Sequence, residues 1–412
     1  MYSRVVDNRW DFRTANTKEY THCYHSYPAM MIPQVARKLI ELYAPKDKCD
    51  FIFDPYMGSG TTLVEASLKN IKSIGTDINP LARMISLAKT THFDTDKIDR
   101  CLSTIQLFPF DYSPDKVVDS NFDRISNYSY WYSDEVLLKL SFISQIIDTF
   151  DVDVQLFFKI ALSELVREVS FTRNGEFKRF RMSEDKVKNF NPDVFALFEN
   201  KVCRNICGLR QYNEDTSVSS LICDFNTVDG IPDNIMPDNS IDMIVTSPPY
   251  GDSHTTVAYG QFSRWANEWF GYENAKNLDN LLMGGKKKVQ KHFDTVCIRE
   301  ELEEIERLDA KRYMEVVSFL NDYSSSIKNI SPKVRVGGRI CYVVGNRTVK
   351  GVQIPLDYFT AETFEKYGFE HEKTIVREIP NKRMPSKTSP SNKAGAKVST
   401  MSNEYIVIMT KS

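Results

Sequence analysis

Apolar positions along the chain change period several times, and the changes divide it into elements. Val35, Leu39, Leu42 and Tyr43 recur at helical spacing behind Pro33, a good first-turn residue, so a helix is predicted over 32–43. Short apolar runs at 49–53 and 71–75 read as buried strands, followed by helical stretches at 62–69 and 81–89. This strand, helix, strand, helix order predicts an α/β fold with a mostly parallel sheet and right-handed crossovers. From 95 to 214 the pattern is helical almost throughout, most clearly over 134–149 and 154–169, and a large helical insertion is expected there. Strands resume at 218–223 and 241–245, then a helix at 313–330, a strand at 338–344, a helix at 358–367 and a terminal strand pair at 370–378 and 404–409. Three parts follow: 1–94, the insertion 95–214, and 215–412.

Composition narrows the class. With 412 residues, 42% hydrophobic and 26% charged, the chain can bury a sizeable core and is not disordered. No apolar stretch approaches the roughly 18 residues of a membrane span, and the first residues, with Asp7, Arg9 and Asp11 among them, lack a signal-peptide apolar region. A cytoplasmic protein with no membrane partner is expected. The eight cysteines are scattered without a Cys-x-x-Cys pair, which suits a reduced compartment. Cys203 and Cys207 stand one helical turn apart without a second ligand pair nearby, so no metal is expected.

A net charge of −2 does not by itself point to nucleic acid, but the basic residues cluster. Arg167, Arg173, Lys178, Arg179 and Arg181 form one group, Lys286, Lys287, Lys288 and Lys291 a second, and Lys382, Arg383, Lys387, Lys393 and Lys397 a third. They read either as solvated faces or as a local phosphate-binding track.

Two segments at strand ends carry candidate chemistry. After the first strand comes Asp54-Pro55-Tyr56-Met57-Gly58-Ser59-Gly60-Thr61-Thr62, in which Gly58 and Gly60 let the backbone bend sharply against a ligand at a helix N-terminus. No Lys follows in the position of a nucleotide-triphosphate loop. Asp77, before Ile78 at the next strand end, is placed to accept both hydroxyl hydrogens of a ribose, and Asp224, before Phe225, ends a later strand in the same way. The turn lacks the third glycine of dinucleotide enzymes, which favours S-adenosylmethionine. The second segment, Thr246-Ser247-Pro248-Pro249-Tyr250, closes the strand at 241–245.

Together these segments resemble the signature motifs of the amino-directed DNA methyltransferases, and Ser before Pro-Pro-Tyr resembles the cytosine-N4 branch. The resemblance covers about 20–94 and 215–412 and implies a Rossmann-like methyltransferase sheet with an antiparallel terminal strand. Residue by residue it implies that Asp54, Pro55, Met57, Gly58, Ser59, Gly60 and Thr61 hold the methionine part of the cofactor. Asp77 and Ile78 would take the ribose, Asp224 and Phe225 the adenine. Tyr27-Pro28-Ala29 is similar to the segment that closes over the cofactor carboxylate; His22 and His25 beside it read equally as surface or capping histidines. Ser247, Pro248, Pro249 and Tyr250 match the catalytic tetrapeptide. The Ser247 hydroxyl and the Pro248 carbonyl would accept the two amine hydrogens, freeing a lone pair otherwise delocalised into the base, while the prolines hold both acceptors rigid. Tyr250 would stack on a base rotated out of the duplex.

The stretch after the motif, 252–264, mixes polar and aromatic residues, and Tyr259, Gln261 and Arg264 read as contacts to base or phosphate, or as residues that fix a loop. Arg173, Lys178 and Arg179 in the insertion, and Lys382 and Arg383 near the end, are further candidates for DNA contact. The implied activity is site-specific methylation of cytosine N4 in double-stranded DNA, either in host protection beside a cognate restriction endonuclease acting separately or as an orphan marking enzyme. Adenine-N6 methylation, guanine-N2 methylation of RNA and a non-catalytic nucleic-acid-binding scaffold are the competing readings. A carbon-5 cytosine methyltransferase is excluded, because no cysteine follows a proline.

Overall fold

In a computed structural model, residues 2–46, 48–118, 121–251, 258–285, 295–379, 387–388, 398–399 and 401–412 are described. Eight strands form one sheet: β1 (Arg4–Val6), β2 (Phe51–Asp54), β3 (Lys72–Thr76), β4 (Ser220–Cys223), β5 (Ile241–Thr246), β6 (Val334–Val344), β7 (Phe369–Glu378) and β8 (Asn403–Lys411). Their spatial order is β1-β7-β8-β6-β5-β2-β3-β4. The run β6-β5-β2-β3-β4 is parallel, β8 is antiparallel to both β6 and β7, and β1 adds to β7 in parallel.

The period-2 alternation of side chains assigns each strand residue to one face. Ile52, Met243, Val245, Cys341, Val343, Ile406 and Ile408 point to one side, where α1 (Pro33–Tyr43) covers them with Val35, Ala36 and Leu39. Phe53, Ile244, Tyr342, Val344 and Val407 point to the other. There α9 (Arg299–Leu308), α10 (Ala310–Ile330) and α11 (Leu356–Glu365) pack with Ile305, Val317, Ile327 and Phe359. Each fully buried aliphatic side chain contributes about 1.5–3 kcal/mol, so a charge at Leu39 or Ile244, both fully buried, would detach a helix layer from the sheet.

Between β3 and β4 the chain makes a helical excursion. It contains α3 (Pro80–Thr90), α4 (Thr95–Ile105), α5 (Asp134–Thr149), α6 (Val152–Glu168) and α7 (Val194–Asp215), with α2 (Thr61–Ser67) preceding β3. Asp94, Ser133 and Asp193 cap α4, α5 and α7 with side-chain oxygens, satisfying first-turn N–H groups. Their apolar faces share one core with Tyr24, Tyr27 and α8 (Tyr259–Trp269). None of the described helices is long and apolar enough to cross a membrane.

Three elements differ from the sequence reading. Residues 259–264 are not part of a loop but open α8, because Tyr259, Phe262, Trp265, Ala266 and Trp269 recur every three or four residues and pack on the helical core. β1 and α9 were not expected: β1 is exposed along its length, and α9 buries only Leu302 and Ile305.

Candidate active site at the carboxyl ends of β2, β3 and β5

The turn after β2 is built by two glycines in the left-handed region, φ +49° at Gly58 and +75° at Gly60. At Gly60 a Cβ would also sit 2.8 Å from the Ser86 hydroxyl, so only glycine fits. Ser86 in turn donates to the Gly58 carbonyl at 2.9 Å, fastening the turn to α3. Asp54 ends β2 buried; its carboxylate accepts from the Thr246 hydroxyl at 2.5 Å and the Tyr56 N–H at 3.2 Å. Burial pushes its carboxyl up to about 6, and the hydrogen bonds oppose the rise. Thr62 donates to the Val245 carbonyl at 3.0 Å, a second link between the turn and β5.

Asp77 follows β3 and accepts from the N–H groups of Gly58 at 3.2 Å and Asn79 at 2.8 Å. It too is pushed up to about 6, mainly by burial. Asn79 caps α3 by accepting from Leu81 N–H at 3.2 Å, and its amide donates to the hydroxyls of Tyr27 at 2.8 Å and Ser263 at 2.7 Å. Asn267 donates to the same Asn79 oxygen at 3.2 Å. The Tyr27 ring lies against Gly58 and stacks 6.0 Å from Tyr259. One buried asparagine thus joins the cofactor-type turn, the Tyr27 segment and α8.

A pocket forms where these parts meet, lined among others by Tyr27, Asp54, Met57, Gly58, Asp77, Ser247, Pro249 and Tyr259. Its volume is ≈ 80 Å³, and Met30, Met31 and Leu282, side chains able to repack around a ligand, also line it. The residues fit a sulfonium nucleoside: a Cβ-free position at Gly58 for close backbone approach and the Asp77 carboxylate on the pocket wall. Pro28, Ser59 and Thr61 line the same pocket, whereas Pro55, Gly60, Ile78, Pro248, Tyr250, Asp224 and Phe225 do not. Asp224 is exposed at the end of β4, and Phe225 accepts the Thr76 hydroxyl through its carbonyl at 2.5 Å. A larger cleft of ≈ 730 Å³ lies between residues 16–23 and α7, away from both loops and lined by mixed charges.

Ser247 is 3.1 Å from the Tyr250 hydroxyl, which donates to Glu404 at 3.1 Å. Glu404 is ion-paired with the buried Arg377. The Tyr250 ring packs against Gly345, where a Cβ would come within 2.6 Å of it. Sequence reasoning missed Glu404, Arg377, Asn79 and Ser263; an acid inside the apolar strand 404–409 was the one available signal.

The expected DNA contacts divide. Arg264 is turned inward to the buried Glu268, and Arg179 lies with its guanidinium 4.6 Å from the Trp265 ring, so neither charge is presented outward as the sequence suggested. Gln261 accepts from the Arg179 N–H at 3.3 Å, fixing loop to helix. Tyr259 faces the pocket. Arg173 is exposed and Lys178 half-buried. Lys382 and Arg383, and the stretch 252–257, lie outside the described residues. His22 and His25 are not surface residues: both are buried, His22 against Glu65 at 2.9 Å, and burial pushes His25 down to about 4.

The N6/N4 family model described as DNA methylase matches residues 2–86. The type II methyltransferase M.MvaI of Kocuria varians is 39% identical over 421 residues, 97% of this chain and 92% of that protein. M.BsoBI of Geobacillus stearothermophilus, also a type II methyltransferase, is 22% identical over 86% of this chain and 80% of its own length. Among solved structures, TTHA0409 of Thermus thermophilus, described as a putative DNA modification methylase and complexed with S-adenosyl-L-methionine, is 20% identical over 45% of this chain and 51% of that chain, with a TM-score of 0.21. The rRNA methyltransferase aviRa of Streptomyces viridochromogenes is 10% identical over 94% and 88%, with a TM-score of 0.32.

Proposed function

The chain belongs to the amino-directed N6/N4 DNA methyltransferases as a type II enzyme that uses S-adenosylmethionine, and we propose that its target is the exocyclic N4 of a cytosine rotated out of duplex DNA. The observation that carries this reading is the pocket shared by Asp54, Gly58, Asp77 and Ser247, with serine rather than an acid or amide at the first position of the tetrapeptide. Bound S-adenosylmethionine supplies an electrophilic methyl group on a sulfonium. Asp77 would hold the ribose, the Gly58 turn the methionine part, and Tyr27 would close over them. The Ser247 hydroxyl and Pro248 carbonyl would accept the amine hydrogens and turn the nitrogen lone pair toward the methyl. Restrained by two prolines and by the Thr246 anchor to Asp54, these acceptors would reorganise little during the reaction.

Duplex DNA is the substrate, and Arg173, Lys178, Lys382 and Arg383 are the proposed phosphate contacts. In a restriction-modification setting the mark would block a separately acting endonuclease. The test is nucleoside mass spectrometry after incubating unmethylated genomic DNA, and RNA in parallel, with the protein and S-adenosylmethionine. N4-methyldeoxycytidine is the expected product; N6-methyldeoxyadenosine would overturn the base assignment while leaving the family chemistry intact.

A further inference from the structure

The Tyr250 hydroxyl has one hydrogen and, among the described residues, two hydrogen-bond partners, Ser247 and Glu404. Glu404 is paired with Arg377, whose guanidinium is buried and also donates to the Trp10 carbonyl at 2.7 Å. A carboxylate only accepts, so the Tyr250 hydrogen goes to Glu404. Tyr250 can then only accept from Ser247, and the single hydrogen of Ser247 is used on Tyr250. Burial pushes the Tyr250 phenol well above its ordinary value, so it keeps that hydrogen. The Ser247 oxygen is left with lone pairs alone to offer the pocket.

From this one-way chain we propose that Glu404, held by Arg377, is a positioning residue that sets the hydrogen-bond direction of Ser247 through Tyr250, so that Ser247 presents itself to the target amine only as an acceptor. The inference rests on the reading of Ser247 as the amine acceptor, and it holds equally for cytosine and adenine. An unanchored serine hydroxyl could rotate its hydrogen toward the amine, repelling the N–H it has to receive. Three strands supply the chain: β5 leads into Ser247 and Tyr250, β7 carries Arg377 and β8 carries Glu404.

Tyr250→Phe keeps the ring and the Arg377–Glu404 pair while deleting the link, and Glu404→Gln introduces an amide that can donate to Tyr250 and reverse the chain. Both are expected to lower kcat by about 10- to 100-fold, the size of a hydrogen bond to a charged group, with S-adenosylmethionine Kd unchanged. Glu404→Asp should recover part of the loss. A binding readout separates direction-setting from simple support. At the position found methylated, wild type should prefer the natural base over its amine-free analogue, pyrimidin-2-one for cytosine or purine for adenine, and Tyr250→Phe should lose most of that preference. Wild-type kcat or unaltered base preference in Tyr250→Phe overturns the inference. Absence of any methylated base from the wild-type protein would instead overturn the proposed function.

Discussion

The Thr246 hydroxyl donates to the Asp54 carboxylate at 2.5 Å, so the last residue of β5 is fastened to the last residue of β2. The two loops that carry the proposed chemistry are therefore tied by this buried hydrogen bond, beside the Thr62–Val245 link. Thr246→Val keeps shape but removes the donor. Leaving a buried acceptor short of a partner costs about 1–3 kcal/mol, and weaker S-adenosylmethionine binding by calorimetry, with a lower Tm, is expected. Unchanged affinity would show that the link does not set the cofactor turn.

Cofactor affinity should depend on pH through Asp77. Its carboxyl is raised from 3.8 to about 6 by burial, so it is mostly ionised at pH 7 and takes a proton below 6. A protonated Asp77 accepts the ribose hydroxyls poorly, and the Kd should rise by about tenfold between pH 7 and 5. Asp77→Asn should bind weakly at both values, with a flatter profile. The same shift makes the ligand-free fold most stable below pH 3.8 with respect to this group. That contribution is lost as pH rises through about 6, because the unfolded carboxyl ionises first.

Gly60→Ala meets two obstacles together. The backbone at φ +75° is unfavourable for alanine, and its Cβ would press on Ser86. The backbone cost alone is roughly 1–2 kcal/mol. Loss of S-adenosylmethionine binding, with a modest fall in Tm, is expected. Gly58→Ala, whose Cβ meets the Tyr27 ring at 3.6 Å and the Tyr56 carbonyl at 4.0 Å, both ordinary contacts, should show the backbone cost without the clash; equal losses in both variants would discount the Ser86 contact.

Lys89 is fully buried in α3, and its ammonium has no hydrogen-bond partner among the described residues. Burial pushes it down to about 7, with Lys18 adding to the effect. The unfolded lysine stays protonated to higher pH, so stability rises with pH from about 7 to 10.5 through this group. Lys89→Met should raise Tm by about 2–4 °C at or below pH 7, and the gain should shrink toward pH 10. A variant less stable than wild type at pH 7 would mean that the ammonium is satisfied.

Much of the sheet was legible because its strands are short apolar runs punctuated by Gly, Asp and Pro. The acids at 54 and 77 and the serine at 247 sit where such runs stop. What escaped had weak periodicity or depended on distant residues. α8 hides its apolar stripe among Gln261, Ser263, Arg264 and Asn267, which are polar because they bond to other buried groups. β1 is exposed throughout and gives no alternation. The Tyr250–Glu404 contact spans 154 residues and joins the loop after β5 to β8, which lies beyond β6 in the sheet. Arg264 and Arg179 looked like phosphate ligands because sequence reveals a charge but not the Glu268 carboxylate or the Trp265 ring that engages it.

β8 follows β6 and β7 in the chain yet inserts between them, hydrogen-bonded to both along nearly its whole length. During synthesis β7, and β1 with it, therefore has no bridge to the rest of the sheet until residues 403–411 have left the ribosome. Glu404 arrives on that same strand. The cofactor turn lies wholly in the earlier part of the chain, whereas the proposed acceptor geometry at Ser247 is completed only by the strand that closes the sheet. Acquisition of methylation activity and the final cooperative step of folding would then be one event.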